Sequence, residues 1–348
     1  MTNLREFRPS PFAAHPLLHI GHLQTLAAGL LGRTSVLPES EQLFITVEAG
    51  SQVRCDCSWQ VEREHATTAV VIHGLGGSSC SPIVTRMAHR LWMAGMNIVR
   101  YNMRNCGGTE AYAQTLYHSG MHGDVMAVVQ HLSTKGLKSI VLIGFSAGGN
   151  LVLNTAGMYG GAPPAELRAV VAVSGAMDVA AAADALHAPA NRLYEWIFVR
   201  ELVELFKTKC RLFPAIFDLN DLRRFRSVRQ FDQAITAPYC GYAGADEIYS
   251  AISSSRIAQE ISLPTLILHA KDDPFIRLLP GTRAKLSANP NILFYETEWG
   301  GHCGFISRER GASKWWAGET VLRFVSFLLG GVSYLQTARR ASALLPGQ

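Results

Sequence analysis

Six short apolar or β-branched runs, at residues 68–73, 97–103, 139–145, 168–173, 264–270 and 291–298, constrain this chain more than any other feature. The most hydrophobic of them do not alternate strictly with polar residues, which is how strands covered on both faces should read. Between them lie stretches with helical apolar spacing at 83–94, 121–133, 147–158 and 281–288, and a last one at 315–329. Strand and helix alternate, so the expected fold class is α/β, with a mostly parallel sheet flanked by helices. Ahead of these runs, 44–47 and 53–60 read as a β-hairpin joined by Ala49, Gly50, Ser51 and Gln52. Within it Val53, Cys55, Cys57 and Trp59 alternate with Arg54, Asp56 and Ser58. Cys55 and Cys57 are therefore expected on one buried strand face and not in a metal site.

The alternation breaks once, between Ser174 and Leu263, an interval far too long for one crossover. Trp196, Val199, Val203 and Phe206 recur there at helical spacing among Arg200, Glu201, Glu204 and Lys207, so the interval is read as a helical insertion. At this place it would lie over the carboxyl ends of the strands, where open α/β sheets bind ligands. The expected partition is a segment 1–40 packed on the core, a core of 41–174 and 263–332, a cap or lid at 175–262, and a tail at 333–348. Residues 338–348 have little to bury and are expected to fray. The Leu, Phe and Trp of the insertion fit an acyl-binding lid and ordinary packing of extra helices equally well.

At 348 residues and 48% hydrophobic content the chain can bury a large core. A net charge of +5, with basic residues scattered except near 222–229, argues against a dedicated nucleic-acid protein. Arg223, Arg224, Arg226 and Arg229 are read first as a solvated charged face and second as a contact to head groups at a membrane surface. Seven cysteines, odd in number and irregularly spaced, fit reduced thiols in a cytoplasm. The uncharged stretch 12–32 is interrupted by His15, Pro16, His19, His22 and Gln24, which spoils it as a signal sequence or membrane span. A soluble cytoplasmic enzyme is the expectation. His15, His19 and His22 fall at helical spacing without a carboxylate or cysteine nearby, so no metal is assigned.

The chemistry centres on Gly144-Phe145-Ser146-Ala147-Gly148, which leads from an apolar run directly into a helical stretch. That is G-x-S-x-G in its required strand-turn-helix setting, with glycines where a nucleophile on a strained turn tolerates no side chains beside it. A serine hydroxyl needs a base, and the base an orienting acid. His302, among glycines in Trp299-Gly300-Gly301-His302-Cys303-Gly304-Phe305, is the best placed of twelve histidines. Asp273 is chosen as the acid because a residue before proline is held extended as the chain turns. Asp272 is the alternative and is expected to face away, with Asp178 a distant third. The order serine, aspartate, histidine is the one that this kind of site uses.

Oxyanion donors are expected from the backbone N–H groups of Leu75, in the turn His73-Gly74-Leu75-Gly76-Gly77, and of Ala147. A dinucleotide loop at that turn is disfavoured twice: Ser79 stands where a third glycine belongs, and the next strand ends in Tyr101-Asn102 without a ribose-binding acid. His73 is read as a structural hydrogen-bonder beneath the turn. Cys303 is read as a small packing residue beside His302.

Together, His73-Gly74-Leu75-Gly76-Gly77-Ser78, Gly144-Phe145-Ser146-Ala147-Gly148-Gly149-Asn150, Asp272-Asp273-Pro274-Phe275 and Gly301-His302-Cys303-Gly304 resemble the α/β-hydrolase superfamily. His22-Leu23-Gln24-Thr25 and Leu116-Tyr117-His118-Ser119-Gly120 are similar to stretches of its YheT-like branch, related to eukaryotic ABHD-type lipases, so that the resemblance covers roughly residues 9–330. One departure is Arg104-Asn105-Cys106-Gly107-Gly108, where the family usually has Arg-Gly; asparagine also tolerates a left-handed conformation. The resemblance implies an α/β-hydrolase fold and hydrolysis of carboxylic esters, acylglycerols or phospholipids among them, with no cofactor. The expected partner is a small-molecule ester with an apolar acyl group. An acyltransferase using the same three residues, or a binding protein that has lost the chemistry, would share these motifs, and the oligomeric state is not legible.

Overall fold

The computed structural model describes residues 3–30, 37–309 and 314–329. The tail expected at 333–348 lies outside them. Eight strands form one sheet in the order β1-β2-β4-β3-β5-β6-β7-β8. They span β1 Glu41–Glu48, β2 Ser51–Ser58, β3 Thr68–Ile72, β4 Asn97–Tyr101, β5 Ile140–Phe145, β6 Leu167–Val173, β7 Thr265–Ala270 and β8 Ile292–Thr297. The first two pair antiparallel, β2 runs antiparallel to β4, and every pairing beyond it is parallel. All six expected runs are strands.

The helices are α1 Gly21–Leu30, α2 Pro82–Met93, α3 His122–Thr134 and α4 Ala147–Tyr159, followed between β6 and β7 by α5 Val179–Leu186, α6 Arg192–Leu212, α7 Val228–Phe231, α8 Ala237–Tyr239 and α9 Ala245–Ile252, and then by α10 Pro280–Ala288 and α11 Trp316–Leu329. Both faces of the central strands β3 to β7 are buried, and the pleat divides their residues between two cores. Val70, Ile72, Ile140 and Leu142 pack with α3 and α4, whereas Ala69, Val71, Val141 and Ile143 pack with α2 and α11. Continuous apolar strands follow from this two-sided burial.

Sequence patterns mislead in three places. The hairpin turns through Ala49 and Gly50 alone, with Gly50 at φ 74°, and strand pairing already includes Ser51 and Gln52. Cys55 and Cys57 are fully buried as expected, but Asp56 and Ser58 are buried too. Asp56 is kept inside by polar partners: it accepts from Ser79 Oγ and from Asn102 Nδ2 and pairs with Arg54 at 3.3 Å. Ser79 and Asn102, which speak against a dinucleotide loop, thus belong to a buried network under the turn after β3, where Ser79 N–H also donates to Asn102 Oδ1 at 2.9 Å. On α6 the buried stripe is Val199, Leu202, Phe206 and Cys210. Trp196 lies outside it, 57% exposed, with the Arg200 guanidinium 5.0 Å from its ring centre.

The helices between β6 and β7 have a core of their own, which includes Phe206, Phe217, Phe231 and Ile235. Two polar residues, Asn105 and Lys209, join this layer to the chain that follows β4. Asn105, at φ 62° as its tolerance for the left-handed region allows, donates to Thr115 O at 2.8 Å and accepts from Lys209 Nζ at 3.0 Å. Lys209, fully buried on α6, donates also to the carbonyls of Glu110 (2.9 Å) and Ala113, and no carboxylate among the described residues forms an ion pair with it. Burial pulls its pKa down, to about 8.

Arg104 makes a two-pronged pair with Asp124, at 2.6 and 2.5 Å, with both groups buried, and also reaches Glu48. Burial lifts the Asp124 pKa, and the guanidinium bonds oppose that lift. Arg104→Met should strand Asp124 without its partner and cost about 3–5 kcal/mol of unfolding free energy, measured by urea denaturation at neutral pH.

Candidate active site

The chain runs from β3 to β4 on one side of the sheet and returns to β5 on the other side of β3, so the ends of β3 and β5 face a crevice at a topological switch point. Ser146 stands there, between the end of β5 and the first residue of α4, at φ 55° and ψ −120°. An L-residue in that conformation stores about 1–3 kcal/mol of strain and persists only where its surroundings hold it. The hold is visible: Ser146 N–H donates to Val173 O at 3.0 Å, and Ser146 O accepts from Ala176 N–H at 3.3 Å. Gly148 explains the spacing of the motif, because a Cβ there would lie 2.7 Å from the Ile72 carbonyl oxygen and closer still to that of His73.

Leu75 and Ala147 line the same cavity as Ser146. A side-chain atom on Gly74 would lie 3.1 Å from Ser146 Cβ, so the turn after β3 is pressed against the serine. Its Gly76 N–H is taken by Tyr117 Oη at 3.1 Å, whereas the Leu75 N–H donates to nothing among the described residues. The Ala147 N–H, in the first turn of α4, has no intrahelical acceptor. Beneath the turn, His73 Nδ1–H donates to Gly74 O at 2.7 Å and Nε2 accepts from Met103 N–H at 3.1 Å. Burial lowers its pKa to about 4 and keeps the ring neutral. His73 is a strut, as expected from the sequence.

Asp273 and His302 meet directly. His302 Nδ1 lies 2.8 Å from Asp273 Oδ2, and Asp273 Oδ1 accepts from the N–H groups of Phe275 (3.1 Å) and Ile276 (2.9 Å). The carboxylate is completely buried, which alone would raise its pKa, but the His302 charge and hydrogen bond bring it below the ordinary value. For His302 burial lowers the pKa, and Cys303 and Asp273 overcome it to leave a net rise. The Cys303 thiol is itself engaged, donating to Val173 O at 3.7 Å. With Nδ1 committed to Asp273, Nε2 is the nitrogen left for proton transfer. No hydrogen bond joins it to Ser146 Oγ here, and such contacts often close only around a substrate.

The elbow and the histidine loop are pinned to one place. Cys303 N–H donates to Ser174 Oγ at 3.0 Å, and Cys303 Sγ shares the Val173 carbonyl with Ser146 N–H. Asp272 does not face away: its Oδ1 accepts from Gly301 N–H at 2.8 Å and so holds the loop that carries His302. Asp178 is structural, accepting from Leu279 N–H and from Thr282 Oγ1.

Helix α1 supplies an anchor that sequence reasoning quoted without finding its role. Thr25 Oγ1 accepts from His302 N–H at 2.9 Å, and Gln24 exchanges bonds of 2.8 and 3.1 Å with the backbone of Ile306. No local signal marks these contacts, which span some 280 residues. His22 stacks on Tyr194 at 5.8 Å and His19 meets Trp299 edge-on at 5.7 Å. No three His, Cys, Asp or Glu side chains among the described residues are grouped to hold a metal. The Arg cluster divides: Arg229 bridges Asp184 and Asp246, whereas Arg223, Arg224 and Arg226 are exposed.

The cavity over Ser146 spans about 920 Å³, part of it open to solvent, and is walled by apolar groups such as Leu186, Phe198, Leu202, Ile248 and Phe275. A strained serine at a sheet switch point lies below such a cavity, and an Asp–His pair is pinned to the same strand end, an arrangement that hydrolytic chemistry can use. The family model for the alpha/beta hydrolase fold matches residues 69–309, and the chain belongs to that family, in its YheT/ABHD-type branch. It is 30% identical over 259 residues to the putative esterase YheT of Escherichia coli, covering 72% of this chain and 75% of that one. Mouse phospholipase ABHD3 is 29% identical over 293 residues, covering 81% and 70%. A yeast (Saccharomyces cerevisiae) monoacylglycerol lipase is 27% identical over 266 residues, covering 74% and 58%. Among solved structures, 2,6-dihydroxy-pseudo-oxynicotine hydrolase shares the fold at a TM-score of 0.57 and 16% identity, covering 89% and 72%. No helix among the described residues is long and apolar enough to cross a membrane.

If Asp273 is the residue that orients His302, Asp273→Asn should lower kcat for a p-nitrophenyl ester about 10⁴-fold. Asp272→Asn, which keeps an acceptor for Gly301 N–H, should cost less than about tenfold. Parallel rate measurements on the two variants separate the neighbours.

Proposed function

We propose that this protein is a serine hydrolase that cleaves carboxylic esters with apolar acyl groups through an acyl-enzyme on Ser146. The observation that carries the reading is the buried 2.8 Å pair of Asp273 and His302, pinned through Val173 and Ser174 to a strained serine that opens into an apolar cavity. Relatives named esterase, phospholipase and lipase support ester hydrolysis.

In this mechanism Ser146 Oγ attacks the ester carbonyl while His302 Nε2 takes its proton. The Leu75 and Ala147 N–H groups receive the charge that forms on the carbonyl oxygen. Collapse breaks the bond to the alcohol, which leaves with the proton from His302. Water, deprotonated by the same nitrogen, then attacks the acyl-enzyme, and collapse breaks the bond to Ser146 Oγ, which takes the proton back from His302 as the acid leaves. Asp273 stays ionised and stabilises the imidazolium in both halves of the cycle. The groups that move protons and stabilise charge in these steps are side chains and backbone of this chain.

Ser146→Ala should reduce p-nitrophenyl ester turnover by about 10⁴–10⁶-fold with an unchanged circular dichroism spectrum. A fluorophosphonate should label the parent protein at Ser146; an active Ser146→Ala variant would end this reading. The base must be neutral to act, and Asp273 raises its pKa. The acid limb of kcat/KM should therefore lie above the ordinary histidine value of about 6.5, and Asp273→Asn should move any residual activity's limb down.

A further inference from the structure

The apolar cavity has a polar patch on the side of the cap that its reading as an acyl site leaves unused. Asp232, Thr236 and Tyr249 all line it. Asp232 and Thr236 lie one turn apart on a π-helical segment, Asp232–Thr236, closed by the Ala237 N–H bonding back to Asp232 O. Tyr249 comes from α9. Thr236 Oγ1 donates to Asp232 Oδ1 and Tyr249 Oη donates to Asp232 Oδ2, each at 2.6 Å. π-Helical turns recur where a functional side chain has to be re-aimed.

A carboxylate offers about four lone-pair sites, of which the two hydroxyls use two. Both hydroxyl protons are spent on Asp232, so what the three side chains still present is acceptor capacity. A partner must donate. The walls around them are apolar, so a donor that remains neutral, a hydroxyl, enters at lower cost than an ammonium.

We propose that the site selects esters whose acyl chain carries a hydroxyl at a distance from the carbonyl, and that Asp232 is the specificity-determining residue that accepts from it. The proposal rests on the serine-hydrolase reading only for its orientation, with the carbonyl at Ser146 and the chain running toward α9. An all-apolar pocket would penalise such a hydroxyl. The sign of the preference is therefore diagnostic.

Binding and turnover are measured separately. Calorimetry on the Ser146→Ala protein compares methyl esters of ω-hydroxy acids of six, eight, ten and twelve carbons with their unsubstituted counterparts. At one or two lengths the hydroxylated ester should bind about tenfold or more tightly than its counterpart, because the hydrogen bond is made to a carboxyl group walled by apolar side chains. Asp232→Leu should reverse that order; should it fold poorly, Tyr249→Phe, which removes one neighbour of the carboxyl, should alter the ratio measurably. Weaker or equal binding of the hydroxylated ester at every length overturns the proposal, whatever the enzyme's activity. Matched p-nitrophenyl esters with the parent protein then test the hydrolase reading: turnover without a hydroxyl preference sinks the proposal alone, and a preference in binding without turnover sinks the hydrolase reading alone.

Discussion

The Val173 carbonyl is the fixed point of this molecule. It receives the Ser146 N–H and the Cys303 thiol, while the next residue, Ser174, receives the Cys303 amide and donates its own to Leu268 O. Three segments distant in sequence are thereby tied to the end of one central strand. Of the five non-glycine residues at positive φ among those described, Ser146, Ser174, Cys303 and Phe305 belong to this junction or its loop. Each is costly alone and is held because the sheet, packed on both faces, does not yield.

The geometry of the site follows from that rigidity. Parallel strands bring the turns after β3, β5 and β7 to one edge. Because β3 lies between β4 and β5, the turns at Leu75 and Ser146 open toward each other. The Asp–His pair arrives from a different direction, along β7 and from the loop after β8, and needs separate support. Asp272, Thr25 and Gln24 supply it by gripping the backbone on either side of His302. A histidine on a glycine-rich loop would otherwise sample many positions, and the chemistry proposed for it depends on its orientation.

Much of this was legible in the sequence. The six apolar runs became strands, and the residues proposed as nucleophile, base and acid come to the same end of the sheet, with Asp273 and His302 in direct contact. What could be read was local: glycine where a turn needs it, aspartate before proline, apolar runs with two buried faces. The illegible part was long-range. Asp56 reads as the polar face of a strand and is buried because Ser79 and Asn102 reach it. Asp272 reads as a neighbour facing away and instead holds Gly301. Asp232 carries no sequence signal, and only the approach of Tyr249 and the π-helical turn show how it comes to line the cavity. No spacing in a chain records partners brought together by tertiary packing.

The attachment of α6 has a consequence for how the cap responds to its medium. Lys209 brings three N–H groups to three neutral oxygens, those of Asn105, Glu110 and Ala113, in a place closed to solvent. Surface ion pairs such as Lys207–Glu204 weaken as salt is added, because mobile ions gather around both partners. A buried cation held by carbonyl dipoles offers those ions no access. The roof over Ser146 is thus seated by a charge that brine does not loosen.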